Sequence, residues 1–143
     1  MKQKLNCILL IDDDEATNFL SNIIIEESGC ALDIKTRQTA KAALKYITDS
    51  SQPGCKSGYF PYPELIFLDI NMPAMDGWEF LEKYKEIKNN LPHIPIIIML
   101  STSINPDDKL KAMGLSEISD YYNKPITSEM IRQVVDKYFP AYV

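Results

Sequence analysis

Apolar and polar positions follow two rhythms along the chain. Short, nearly continuous apolar runs occur at residues 6–11, 65–68 and 94–100, with weaker strand patterns at 30–35 and 118–122. Runs of that length without alternation fit strands buried on both faces, as in a parallel sheet. Between them apolar residues recur at helical spacing. Ala16, Phe19, Leu20, Ile23 and Ile24 predict the inward stripe of a first helix that Gly29 ends, and Ala40, Ala43, Leu44 and Ile47 predict a second behind a Thr39 cap. Phe80, Leu81 and Tyr84 mark a third helix over about 77–88, capped by Asp76 with Glu79 in capping-box position and Met75 and Phe80 as a staple. Asn105 before Pro106 opens a short fourth helix closed by Gly114. Thr127 caps the last helix, whose Ile131, Val134, Val135 and Tyr138 face inward.

Five strands, each followed by a helix, predict an α/β fold: a doubly wound parallel sheet covered on both faces through right-handed crossovers. The pattern stops from Ser50 to Pro63, where SSQPGCKSGYFPYP reads as a loop long for a compact domain. Its Tyr59, Phe60 and Tyr62 are expected to tuck it onto the body. At 143 residues, 45% hydrophobic, the chain fits one domain over residues 1–143, with no output domain beyond the last helix. A net charge of −5 argues against direct nucleic-acid binding, and no apolar stretch nears the length of a bilayer span. The expected location is cytoplasmic, with Cys7, Cys30 and Cys55 as reduced thiols rather than a disulfide frame or zinc site.

The polar residues fall at the ends of the apolar runs. The first run ends in Asp12-Asp13-Asp14, the third in Asp69, the fourth in Ser101 and the fifth near Lys124. In an open parallel sheet these ends share one edge, where ligands bind. Carboxylates gathered there repel unless a cation lies between them, and a hard oxygen-ligated ion such as Mg²⁺ fits, with no His or Cys companions to favour zinc. Lys124 adds a fixed positive charge, so the edge looks built to hold an oxyanion against Asp69. Taken singly, each residue has a plainer reading. The acid triplet could be helix-terminal charge, Asp14 is better read as a cap than as a ligand, Ser101 could be a strand-end hydroxyl, and Lys124 a surface lysine. His93, the only histidine, is expected to be exposed near a turn, and Trp78 and Phe80 to serve packing.

Together the motifs resemble the receiver domain of two-component response regulators across nearly the whole chain. LLIDDDE is similar to the acidic doublet, FLDINMPAMDG to the phosphoacceptor block, MLSTS to the switch hydroxyl and DYYNKPI to the lysine-proline motif. The resemblance implies the flavodoxin-like, CheY-like strand order 2-1-3-4-5. It also implies that Asp69 accepts phosphate from a histidine kinase or histidine phosphotransfer protein. Mg²⁺ would then be held by Asp12, Asp13, Asp69 and the backbone carbonyl of Asn71. Ser101 and Lys124 would contact the phosphoryl oxygens, and Ser101 with Tyr121 would form a switch read by a downstream protein. By the same resemblance the Lys124-Pro125 bond is cis, and the chain is a stand-alone signalling phosphoacceptor rather than an enzyme, monomeric or weakly dimeric.

Ser101 stands where threonine is usual in the family, which keeps the hydroxyl but loses the methyl that fixes its rotamer. The 50–63 insertion and LSTSINPDD resemble a subgroup that includes phytochrome-associated regulators. Two other functions fit parts of the pattern. A phosphatase of the haloacid dehalogenase type also uses an aspartate nucleophile and Mg²⁺, but expects a second acid where Asn71 stands. A docking module could keep the fold without phosphorylation, and the complete acidic set argues against it.

Overall fold

The computed structural model describes residues 4–52, 61–102 and 105–140. Strands β1 (Ile8–Ile11), β2 (Ile34–Arg37), β3 (Leu65–Asp69), β4 (Ile96–Ser101) and β5 (Asp120–Asn123) alternate with helices α1 (Glu15–Ser28), α2 (Ala40–Ser50), α3 (Gly77–Ile87), α4 (Pro106–Met113) and α5 (Ser128–Tyr138). The strands form one sheet in the order β2-β1-β3-β4-β5, and every pairing is parallel. This is the doubly wound architecture that the strand-helix alternation implied.

Each central strand is buried on both faces, which is why the apolar runs are continuous. Leu9, Ile11, Ile66, Leu68, Ile97 and Met99 point to the side covered by α2 and α3, where Ala43, Ile47, Phe80, Leu81 and Tyr84 meet them. The alternate residues Ile8, Leu10, Leu65, Phe67, Ile98 and Leu100 pack with Ile25 of α1 and with Ile131, Val134 and Val135 of α5. Full burial of each such side chain is worth roughly 1.5–3 kcal/mol, so the central strands carry much of the stability. Asp14, Thr39, Asp76, Asn105 and Thr127 each cap a helix by accepting a hydrogen bond from a backbone amide two or three residues on. Gly29 ends α1 with φ 68°, in the left-handed region that favours glycine.

The second strand lies later than its apolar pattern predicts. Its register, Ile8 opposite Ile34 through Ile11 opposite Arg37, leaves residues 30–33 outside the strand, where Ala31 makes an isolated parallel bridge with Leu5 through the Leu5 amide on the Cys30 carbonyl and the Leu32 amide on the Leu5 carbonyl. The first helix is turned on its axis relative to expectation. Asn18, Ser21 and Ile25 face inward, whereas Phe19, Leu20 and Ile23 are 66%, 60% and 37% exposed. Two local bonds that periodicity does not register set this phase: the Asp14 cap, and the Asn18 side chain on the Asp12 carbonyl. Of the aromatics in the long loop only Tyr62 lies within the described residues. Its hydroxyl donates to the His93 carbonyl at 2.5 Å, while Tyr46 donates to the Pro61 carbonyl, so the end of that loop is tied to the body. Tyr59, Phe60 and Cys55 lie outside the described residues.

Candidate functional site

β1, β3 and β4 end at the same edge of the sheet because they are parallel and nearly in register, Ile11 lying beside Leu68 and Asp69 beside Leu100. The residue after β1 is Asp12, the last of β3 is Asp69 and the last of β4 is Ser101. Lys124 follows β5, and its amide donates to the Ser101 carbonyl at 2.9 Å, which brings its side chain back across the edge. The Lys124-Pro125 bond is cis, as the resemblance implied.

Asp12 and Asp69 are buried and Asp13 is exposed. Each of the three offers a carboxylate oxygen, and these oxygens lie within 4.8 Å of one another. Lys124 Nζ bridges two of the acids, at 2.5 Å from Asp12 Oδ2 and 3.1 Å from Asp69 Oδ1. Burial works against the charge on Lys124, but its hydrogen bond to Asp12 and the charges of Asp69 and Asp12 outweigh that and hold its pKa above the ordinary value. Asp69 Oδ1 also accepts from the Asn71 amide at 3.3 Å, whereas no hydrogen bond reaches Oδ2 among the described residues. Burial, and then the neighbouring charge of Asp12, push the Asp69 carboxyl up to about 6. One ammonium therefore does not compensate the acids. A compact pocket of hard oxygen donors with surplus negative charge fits a divalent ion of the Mg²⁺ type.

The loop from Asp69 to α3 is shaped by close backbone contacts. The Gly77 amide donates to the Ile70 carbonyl at 2.7 Å, and a Cβ at Gly77 would stand 2.8 Å from the Asp69 carbonyl oxygen and 2.9 Å from Ile70 Cα. Those atoms belong to backbone that cannot rotate away. Gly77→Ala is therefore expected to cost about 1–3 kcal/mol of stability and to displace Asp69; an unchanged denaturation midpoint would contradict that contact.

Ser101 is fully buried, Thr102 beside it is exposed, and Ser103 lies outside the described residues. Tyr121, opposite Met99, is buried with its side chain inward, and its hydroxyl makes no hydrogen bond among the described residues. Asn71 and His93 are exposed. Trp78 is half-buried, with Lys111 Nζ of α4 at 4.3 Å over its ring. Asp14 takes no part in the cluster: its oxygens accept from Thr17 Oγ and the Ala16 amide, which hold its pKa below the usual carboxylate range. The residue that sequence reasoning missed is Asn18. Its Nδ2 donates to the Asp12 carbonyl at 2.9 Å, and its place on the first turn after an acidic strand end is the signal that could have found it.

Comparison with known proteins gives one consistent result. The family described as Response regulator receiver domain matches residues 8–136. The crystal structure of a two component response regulator from Cytophaga hutchinsonii is 30% identical, with TM-score 0.80, and the match covers 94% of this chain and 97% of that one. The probable methanogenesis regulatory protein FilR2 of Methanothrix harundinacea is 30% identical over 91% of this chain and 79% of its own length. A response regulator in red light signaling of R. palustris shares the fold, with TM-score 0.77 over 96% of both chains at 22% identity. Several other curated relatives are longer, and the chain spans 7% to 53% of their length. Among the described residues no helix is long and apolar enough to cross a membrane.

Proposed function

Because the chain belongs to the response regulator receiver domain family, we propose that it is a stand-alone two-component regulator that accepts a phosphoryl group on Asp69. The donor is a histidine kinase or histidine phosphotransfer protein. The observation that carries this reading is the state of Asp69: buried at the end of β3, with Oδ1 held by Lys124 and the Asn71 amide and, among the described residues, no hydrogen bond at Oδ2. That leaves one oxygen anchored and the other available as a nucleophile.

In the proposed reaction Asp69 Oδ2 attacks the phosphorus of a phosphohistidine. An acyl phosphate bond forms, the P–N bond breaks with its electron pair left on the imidazole nitrogen, and that nitrogen takes a proton from solvent. A divalent ion held by Asp12, Asp13, Asp69 and the Asn71 carbonyl would neutralise the acids and the charge spread over the phosphoryl oxygens. Lys124 lies 3.1 Å from Asp69 Oδ1, so its ammonium can pair with a phosphoryl oxygen by a small shift away from Asp12. Ser101 offers a hydroxyl from the neighbouring strand end.

The output reading rests on Tyr121. An orphaned buried hydroxyl costs about 1–3 kcal/mol, so the inward position stands against an outward one in which the hydroxyl is hydrated. Movement of Ser101 toward the phosphoryl group would bias that balance and alter the face formed by α4, β5 and α5. The outward row Phe19, Leu20 and Ile23 lies on the helix that starts at the acidic edge, a suitable face for the phosphodonor.

The test is intact mass after incubation with acetyl phosphate, with and without Mg²⁺. A Mg²⁺-dependent phosphate adduct is expected. No adduct, with a control receiver labelled by the same donor, would favour a phosphorylation-independent docking module.

A further inference from the structure

We infer that Asn18 is a positioning residue for the divalent ion, holding the peptide plane that joins Asp12 to Asp13. This rests on the proposed Mg²⁺ reading. Asn18 lies on the inward face of α1, only 5% exposed, at a place where helical periodicity would put an apolar side chain. A buried amide is unfavourable unless its polar atoms are bonded, so what it bonds to accounts for its presence. Its Nδ2 donates to the Asp12 carbonyl across six residues at 2.9 Å.

That carbonyl is half of the peptide unit between two of the candidate ligands. The remaining polar atoms of Asp12 are also committed: its amide donates to the Arg37 carbonyl at 3.1 Å, Oδ1 accepts from the Asp14 amide at 2.9 Å, and Oδ2 accepts from Lys124. Asp13 is different. It is exposed, and its carboxylate makes no hydrogen bond among the described residues, so its direction depends on the backbone that carries it. β2 fixes one side of Asp12 through Arg37, and Asn18 fixes the other. Without Asn18 the Asp12-Asp13 peptide loses its only side-chain anchor among the described residues. The Asp13 carboxylate then has to be ordered by the ion itself, which weakens its binding without removing a ligand.

The roles of partners behind the ligands in known metal sites set the scale, since their loss costs about 10- to 100-fold in metal affinity. The experiment uses the full chain and three variants. Asn18→Leu keeps the volume and removes the donor, Asn18→Ala removes both should the leucine fail to fold, and Ser21→Ala alters the next inward position of α1 as a control. Calorimetry gives the Mg²⁺ dissociation constant of each metal-free protein. Labelling by acetyl phosphate then gives the Mg²⁺ concentration for half-maximal rate and, separately, the rate at saturating Mg²⁺.

The expected result is about tenfold weaker Mg²⁺ binding in both Asn18 variants, a matching rise in the half-maximal concentration, and a saturated rate close to that of wild type. Ser21→Ala should bind Mg²⁺ as wild type does. Unchanged affinity in the Asn18 variants overturns the inference, as does equal weakening in Ser21→Ala, which would mark a general effect of loosening α1. Wild type that takes up no Mg²⁺ is a separate outcome, which overturns the proposed function and the inference with it.

Discussion

Asp69→Asn is expected to abolish the phosphate adduct while leaving the protein folded, and more stable without metal than the wild type. The amide is nearly isosteric with the carboxylate but is not a nucleophile toward phosphorus, so no acyl phosphate can form. The gain in stability follows from the electrostatics. Burial and the charge of Asp12 push the Asp69 carboxyl to about 6 from an ordinary 3.8, so its ionised form is unfavourable in the folded state. Removing that charge should raise metal-free stability at neutral pH by about 1–3 kcal/mol, the lower end allowing for the lost pairing with Lys124. Intact mass measures the first effect and thermal melting in chelator the second. Labelling that persists in Asp69→Asn would sink the acceptor assignment, and a less stable variant would show that Lys124 outweighs burial.

The second large effect is a pH dependence that Mg²⁺ reverses. Because the folded pKa of Asp69 lies above its unfolded value, the folded chain binds the proton more tightly. Its contribution is fully present below the unfolded pKa and is lost as pH rises from about 4 through about 6. Metal-free protein should therefore be more stable near pH 5 than near pH 8, so far as Asp69 governs the difference, and Asp69→Asn should flatten that slope. Mg²⁺ favours the ionised acids, so it should stabilise most at the higher pH. At ten times its dissociation constant the gain is ~1.4 kcal/mol, or a few degrees in Tm. Melting curves at both pH values, with Mg²⁺ and with chelator, measure this. Indifference to millimolar Mg²⁺ at pH 8 would count against the site.

Much of this was legible in the sequence because the relevant features are local or repeat at the period of an element. Asp14, Thr39, Asp76, Asn105 and Thr127 declared the helix starts, since each caps through its own side chain a few residues away. The apolar runs located β1, β3 and β4, because a strand buried on both faces needs no alternation to betray it. Given a parallel sheet, Asp12, Asp69 and Ser101 then had to share an edge. What escaped was set by contacts distant in sequence. The start of β2 depends on its register with β1, and the first half of its apolar run lies before the strand, where Ala31 makes only an isolated bridge to Leu5. The rotation of α1 defeated periodicity outright. Ile23 and Leu20 look like core residues by hydropathy, yet Asn18 takes the inward position because the Asp12 carbonyl needs a donor there. Lys124 was expected at this edge, but not its direct ion pair with Asp12, 112 residues away, which no local pattern registers.

The place of β3 in the sheet has a consequence for how the protein breathes. With two strands on either side, it is the strand hardest to release by partial opening, while β2 and β5 sit at the margins. Local unfolding proceeds in cooperative units of unequal stability, and marginal strands open at lower free energy than central ones. Amides of Leu65–Leu68 should thus be among the slowest in the molecule to exchange with deuterium, although they lead directly to Asp69 and the acidic edge. Tyr121 and Lys124 belong to the more easily opened margin. If Asp69 is the acceptor proposed above, it is anchored in the strand expected to fluctuate least, and the groups proposed to respond to it sit where fluctuation is cheapest, so a signal could loosen its reader without loosening its source.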